Sequence, residues 1–379
     1  MLVNKSPDVT LRNSLLTNGW SPDSPEAEMT EIYDIDFEFG VPPALISTKY
    51  IAEYTTEEWG DDLITINANG GYRDIIQGMA DEVFQDNDTS PRLDTVVTEI
   101  HQNDSHVTVH TQSGDVFTAE HLILTVSLGV LQHKLITFQP DLPTWKWDSI
   151  FGFQMAYYFH FYLRFPETFW DSTEYILLAR EIRGDFSLWQ NFNKFWPGSH
   201  ILQCTLTHDL ALRWERATDQ EIVDKAMEVL KEAYGDSIPS PIASEIPRIG
   251  IDPLFMGSFS VWPTGYSMES FLSLRAAVDR VHFAGEHTSE KYHGYLHGAM
   301  FEGERAAEEV ANCLDGDCTV EYVPSYEARG CMYSTARNYD ENAQLDDGSC
   351  VFVVTSAGNL VQHPSVGLLI MLVAVFCMY

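Results

Sequence analysis

Glu286 stands where chemistry is easiest to place. The run Val281-His282-Phe283-Ala284-Gly285-Glu286 has the apolar content of a buried strand ending on glycine, and Gly294 to Leu314, rich in Ala and Glu, has the spacing of a long helix. A carboxylate at such a strand end can accept a hydrogen bond from a sugar hydroxyl. Gly285 and Gly294 on either side let backbone approach a flat ring or a pyrophosphate, and strand, tight loop and helix start together form an anion-cradling unit. A strand-to-helix turn with no ligand has the same local pattern. A second group lies in Met155 to Phe165, a very aromatic strand pattern whose alternation puts Tyr158, His160 and Tyr162 on one face. Imidazole there can donate or accept a hydrogen bond near neutral pH, although a histidine among aromatics is more often a satisfied core group.

The elements that must position these groups are readable in part. Ile32 to Val41 alternates apolar and acidic residues as a strand would and stops at Pro42-Pro43. Leu93 to Ile100 and Ser105 to Thr111 alternate around a turn and predict a hairpin; His121 to Val126 predicts a buried strand. Thr218 with Glu221 is a capping box, opening a helix that turns Ile222, Ala226, Val229, Leu230 and Ala233 inward and ends at Gly235. Residues 1–30 carry no readable chemistry.

The bulk numbers bound the rest. A chain of 379 residues can bury a large core, in two or three domains, and 45% apolar with 21% charged residues is ordinary for a globular enzyme. Lys and Arg number 22 against 56 Asp and Glu, so the formal charge of -34 repels phosphate backbones and attracts cations. Nucleic acid is therefore excluded as a partner and a polycation favoured, with an acidic surface kept for solubility as the plain alternative. Cys204 lies alone in a strand-like run, while Cys313, Cys318, Cys331 and Cys350 suggest a local disulfide framework in a polar appendage, 319–355. No cysteine and histidine spacing matches a structural zinc site, and no metal is expected; Asp340, Asp346 and Asp347 fit a solvated acidic loop better than a calcium site. No signal peptide is visible, and three sequons, at Asn4, Asn87 and Asn103, give weak support to secretion. Small residues at 356–358, a polar spacer and the charge-free stretch Val366 to Tyr379 follow the order of a lipid-anchor signal, with a membrane helix or a plain hydrophobic terminus as alternatives. These features together predict a secretory route and a cell-surface or membrane-associated location.

Gly285-Glu286-His287-Thr288-Ser289-Glu290, followed by Tyr292-His293-Gly294-Tyr295-Leu296-His297-Gly298-Ala299, closely resembles the flavin-closing segment of the flavin-containing amine oxidases of the polyamine oxidase type. Collinear motifs precede it: Glu38-Phe39-x-x-Pro42-Pro43, Gly71-Tyr72, Ser127-Leu128-Gly129-Val130-Leu131, Phe138-x-Pro140-x-Leu142-Pro143-x-Trp145-Lys146 and Phe259-Ser260-x-Trp262-Pro263, so that the resemblance covers about residues 31–318. It implies FAD as cofactor, with Gly285, Glu286, Gly294 and the backbone near Leu296 holding the flavin and the backbone at Val97 beside the adenine. It also implies Phe259 and Tyr295 as facing aromatic walls before the ring, Tyr158 as an active-site tyrosine, and Glu38 as a carboxylate of the substrate tunnel. The chemistry implied is loss of a hydride from an amine-bearing carbon of a polyamine or other cationic amine to the flavin, with O2 reduced to hydrogen peroxide.

Two departures stand out. His160 occupies the position of a family lysine that hydrogen-bonds a water at the flavin, and no Gly-x-Gly-x-x-Gly, the family's pyrophosphate-binding start, occurs in the chain. The resemblance therefore predicts an α/β fold lacking the N-terminal βαβ unit, about the first third of a complete enzyme. Residues 1–60 and 141–258 would form an α+β substrate domain, and 61–140 with 259–318 part of a Rossmann-like FAD-binding domain. The competing expectation is a catalytically inactive, surface-anchored binding protein; a third is an oxidase of other amines or of a histone tail.

Overall fold

In the computed structural model, residues 8–54, 71–83 and 91–316, with a few isolated positions beyond, are described. Residues 1–324 form one compact unit and 325–379 a second. Cys331, Cys350, Asp340, Asp347, Gly70 and the charge-free stretch at the C-terminus lie outside the described residues. Among the described residues no helix is long and apolar enough to cross a membrane.

Two sheets carry the first unit. In one, β1 (Val97–Gln102) and β2 (Val107–Thr111) form the expected hairpin, β3 (Val116–Ala119) adds to β2, and a later strand, β5 (Thr137–Gln139), runs parallel to β1. Beside it β4 (Leu122–Leu124) pairs in parallel with Val281–Phe283. Parallel pairing buries both faces, and the second strand of the pair is buried at every position. Ile100, Leu128, Phe153 and Phe283 join in the core between these strands and the helices Thr144–Gly152 and Met268–Arg275. Lys146, fully buried, closes the second of those helices by donating to the carbonyls of Ser273, Leu274 and Ala276, an ammonium taking the place of a C-cap.

The structure divides the aromatic strand into a short β6 (Gln154–Ala156), which pairs apart, and a long β7 (Tyr158–Arg164), which lies in the other, antiparallel sheet. β7 is flanked by Ile201–Thr207 and Ala243–Glu245. Its alternation holds as expected: Phe159, Phe161 and Leu163 are buried in a core shared with Ile222, Ala226, Val229 and Leu230 of the helix Asp219–Tyr234, while Tyr158, His160 and Tyr162 point to the other, half-buried face. The capping box at Thr218 and Glu221 forms as the sequence predicts, but Ala233 is exposed and Met227 takes an inward position instead.

The strand expected at Ile32 to Val41 is a correction. A helix starts at Pro25, capped by Ser24, runs through a π-helical stretch at Ile32–Asp36 and ends at Phe39. The alternation misleads because one of its acidic positions, Asp36, is not solvent-facing: like Glu31 just before the run it is buried, Arg183 holds it through two hydrogen bonds of 2.6 and 2.7 Å, and Arg12 pairs with Glu31. Burial pushes the Asp36 carboxyl up, against the pull of Arg183. Removing one partner from a buried ionic cluster strands the others, so Arg183→Met is expected to cost about 3–5 kcal/mol in urea denaturation at pH 7. The loss shrinks as acid protonates Asp36, which its raised pKa places above the ordinary carboxylate range.

Candidate active site

The short strand Phe259–Val261 forms one side of the site. It pairs antiparallel with β6, Phe259 opposite Ala156, which sets the Phe259 ring 5.9 Å from that of Tyr158 at the start of β7. Gly40 makes this approach possible: with φ of 67° it ends the Pro25–Phe39 helical run, and a Cβ on it would meet Phe259 and Ala156 at 3.0 Å. The loop after the strand Val281–Phe283 then returns, and Gly294 and Tyr295 face the same space. A cavity of about 320 Å³ results, lined by Glu38, Tyr158, Phe259, Gly294 and Tyr295 together with Tyr50, Ser260 and His293.

Glu286 lies directly behind this wall. Its carboxylate accepts from the Ser260 amide at 3.1 Å, from the Ser260 hydroxyl at 2.7 Å and from the Gly294 amide, and so ties the strand Phe259–Val261 to the loop. Burial raises its pKa, and these donors oppose the rise. A carboxylate has about four acceptor positions, so one remains for a hydroxyl of a bound molecule. Tyr295 donates from its hydroxyl to Glu38 at 3.4 Å, and burial with the Glu38 charge raises its pKa. Tyr158 is likewise pushed up, mainly by burial.

Of the residues expected from sequence, Glu38, Tyr158, Phe259, Gly294 and Tyr295 are brought together at the cavity and Glu286 supports it. His160 does not line it. It sits one step further along the same face of β7, opposite Thr205 and between Tyr158 and Tyr162. Its Nδ1 is buried with no hydrogen-bond partner among the described residues, and burial lowers its pKa, which keeps the imidazole neutral. Gly285 adopts φ of 130°, and a Cβ there would meet the His287 ring at 2.9 Å; this glycine serves packing of the loop on itself. Leu296 opens the helix Leu296–Leu314 with its side chain exposed, and Val97 begins β1, packed against the first core; neither lines the cavity.

Sequence reasoning gave no role to Ser260, Tyr50 or His293. His293, buried, lies with Nδ1 3.2 Å from the Tyr50 hydroxyl, and burial takes its pKa down to about 4. Gly298 fixes the loop on the helix, since a Cβ on it would stand 2.1 Å from the Tyr292 carbonyl oxygen. Alanine is the better helix former, but this contact is with backbone, so Gly298→Ala is expected to destabilise by about 1–3 kcal/mol through overpacking. Thermal unfolding would check it.

These residues fit one edge of a flavin: a buried carboxylate with one acceptor position open to a ribityl hydroxyl, a glycine backbone, and an aromatic cavity next to both. They do not include a pyrophosphate-binding glycine turn.

Comparison with known proteins gives the family of the chain. Residues 23–311 match the model of the family described as flavin containing amine oxidoreductase, and the chain belongs to that family. It is similar to polyamine oxidase 1 of Zea mays, 36% identical over 331 residues, which is 84% of this chain and 64% of that protein. Polyamine oxidase 6 of Oryza sativa subsp. japonica is 36% identical over 312 residues, 79% of this chain and 62% of that one. The chain thus spans a little under two thirds of the length of these relatives. Among solved structures, cyclohexylamine oxidase from Brevibacterium oxydans matches with a TM-score of 0.62 at 23% identity, over 81% of this chain and 68% of that one. Putrescine oxidase bound to putrescine matches with a TM-score of 0.64 at 17% identity, over 80% and 68%. The mixed α/β fold is that of these oxidases, and family membership supports FAD as the cofactor.

Proposed function

We propose that this chain supplies the substrate cage and one flavin edge of an FAD-dependent polyamine oxidase. The observation that carries the reading is the cavity in which the aromatic faces of Tyr158, Phe259 and Tyr295 meet the carboxylate of Glu38, backed by the buried Glu286. A bound flavin, held by Glu286 and the Gly294 backbone, would supply the acceptor for a hydride from the amine-bearing carbon, with O2 as the final oxidant and hydrogen peroxide as its product. The chain's own residues do the rest. Glu38 and the net charge of -34 draw a polycation inward; the aromatic faces bind its ammonium groups and exclude water. The neutral imidazole of His160, with Nδ1 unsatisfied, is placed to hold a water beside Tyr158. The portions 61–140 with 259–318 form the cofactor side in this reading, and 1–60 with 141–258 the substrate side.

The test is a panel of spermine, spermidine, putrescine and a histone-tail peptide, with peroxide as readout. Spermine and spermidine are expected to be oxidised. Desolvated cation–π contacts contribute about 2 kcal/mol, so Phe259→Ala or Tyr295→Ala should raise KM for a polyamine by roughly thirty-fold. Turnover confined to the peptide would contradict the substrate class. The second reading, a binding protein without turnover, is favoured by His160 standing where the family carries a lysine; polyamine binding with no peroxide from any substrate is its signature.

A further inference from the structure

Outside the cavity, three residues far apart in the chain meet where β4 pairs with the strand Val281–Phe283. His121 directly precedes β4, His282 lies in the partner strand, and Cys313 is in the last turn of the helix Leu296–Leu314. One ligand atom from each lies within 4.8 Å of the others. His121 Nδ1 and His282 Nε2 are 3.1 Å apart, and His282 Nδ1 is 3.1 Å from a carboxylate oxygen of Glu309, which Arg305 holds in turn.

The hydrogen bonds decide which nitrogen is available. An ionised carboxylate only accepts, so His282 carries its proton on Nδ1 and turns the Nε2 lone pair toward His121. A histidine whose far nitrogen donates to a carboxylate is the arrangement that orients metal-binding imidazoles. Two zinc–nitrogen bonds of about 2.0–2.1 Å at a tetrahedral angle separate the nitrogens by roughly 3.3 Å, close to the spacing found here. His121 has to release its Nδ1 proton and carry one on Nε2 instead. That forfeits only a 3.4 Å contact from Arg280, which stays anchored on the carbonyls of Glu120 and Asp104.

Cys313 is joined to Cys318 by a disulfide, and a disulfide sulfur is not a thiolate ligand. The geometry points to a zinc site made of His121, His282 and Cys313 that opens only when this disulfide is reduced. A dithiol reductant would transfer two electrons and two protons: the Cys313–Cys318 bond breaks, two thiols form, and the reductant leaves as its own disulfide. Zinc then binds the Cys313 thiolate and both imidazoles, releasing the thiol proton to solvent while the His121 proton passes from Nδ1 to Nε2 with no net loss, and one coordination position is left for water. Two imidazoles and a thiolate select zinc over calcium or magnesium. The sequence shows no zinc spacing because strand pairing, and not proximity along the chain, assembles these ligands.

Cobalt(II) titration of the full-length chain tests this, before and after reduction with a phosphine, which takes up oxygen from water and leaves two thiols. After reduction, one cobalt per chain is expected to give thiolate-to-metal charge-transfer absorption and tetrahedral visible bands, which zinc then displaces. Cys318→Ser, kept in phosphine, should give the same bands; Cys313→Ser should lose the charge-transfer band and His282→Ala the tetrahedral spectrum. Glu309→Gln should weaken affinity by roughly 10- to 100-fold through the lost carboxylate partner. No cobalt absorption in either the reduced wild type or Cys318→Ser would overturn the site. So would bands that survive both Cys313→Ser and His282→Ala, since they would belong to other cysteines.

Discussion

Stability is expected to fall steeply as pH drops from 6.5 toward 4, because two buried histidines refuse protons that the unfolded chain accepts. Burial, with the Lys146 charge nearby, takes His287 down to about 3, and burial takes His293 down to about 4. In an unfolded chain each titrates near 6.5. Between those limits the unfolded state binds more protons, so unfolding free energy decreases with falling pH by about 1.4 kcal/mol per unit for each histidine. From pH 6.5, where the unfolded imidazoles are half protonated, to pH 5 the two together remove roughly 3 kcal/mol, a large share of a typical 5–15 kcal/mol. The raised carboxyls of Glu286, Asp36 and Glu215 act in the opposite direction, since burial makes the fold hold their protons longer. His293→Gln separates the two contributions: urea titrations at pH 7 and 5 should show its slope reduced by about one proton relative to the wild type. A wild-type protein equally stable at both values would contradict the assignment. The connection to function is direct, as His293 lines the cavity and meets Tyr50.

Glu286→Gln is the second large effect. The glutamate accepts from two donors on Ser260 and one on Gly294. An amide keeps one accepting oxygen and turns an NH2 toward donors, so at least one of them loses its partner inside the protein. An unsatisfied buried donor costs about 1–3 kcal/mol, and loss of charge assistance adds to it. Both stability and flavin affinity should therefore fall, because the same carboxylate sets the Ser260 and Gly294 walls and offers its remaining position to the cofactor. Glu286→Asp keeps the charge but shortens the reach and should recover part of the stability. A Glu286→Gln protein as stable as wild type in urea, with unchanged affinity for FAD, would show that the carboxylate is incidental to the site.

Where one face of an element is apolar, the sequence predicts it well. The hairpin of β1 and β2, the two-faced pattern of β7 and the capped helix Asp219–Tyr234 were all legible from local periodicity and capping chemistry. Ile32 to Val41 was not, because Asp36 within it is buried against Arg183, 147 positions away, and no local pattern carries that information. The cavity shows the same division. Motif resemblance located Glu38, Phe259 and Tyr295, but the pairing of Phe259 with Ala156 and the binding of Ser260 and Gly294 to Glu286 are products of the assembled sheet. His160 was placed on the right face of its strand, yet the cavity wall is made by Tyr158, one strand repeat before it.

Anaerobic mixing of the full-length chain, reconstituted with FAD, with spermine tests the central claim most directly. The account predicts a bound flavin absorbing near 450 nm, an approximate position set by the cofactor itself, that bleaches when spermine is added and recovers on admission of O2. A chain that retains no flavin, or one whose bound flavin stays oxidised under excess spermine, would contradict it.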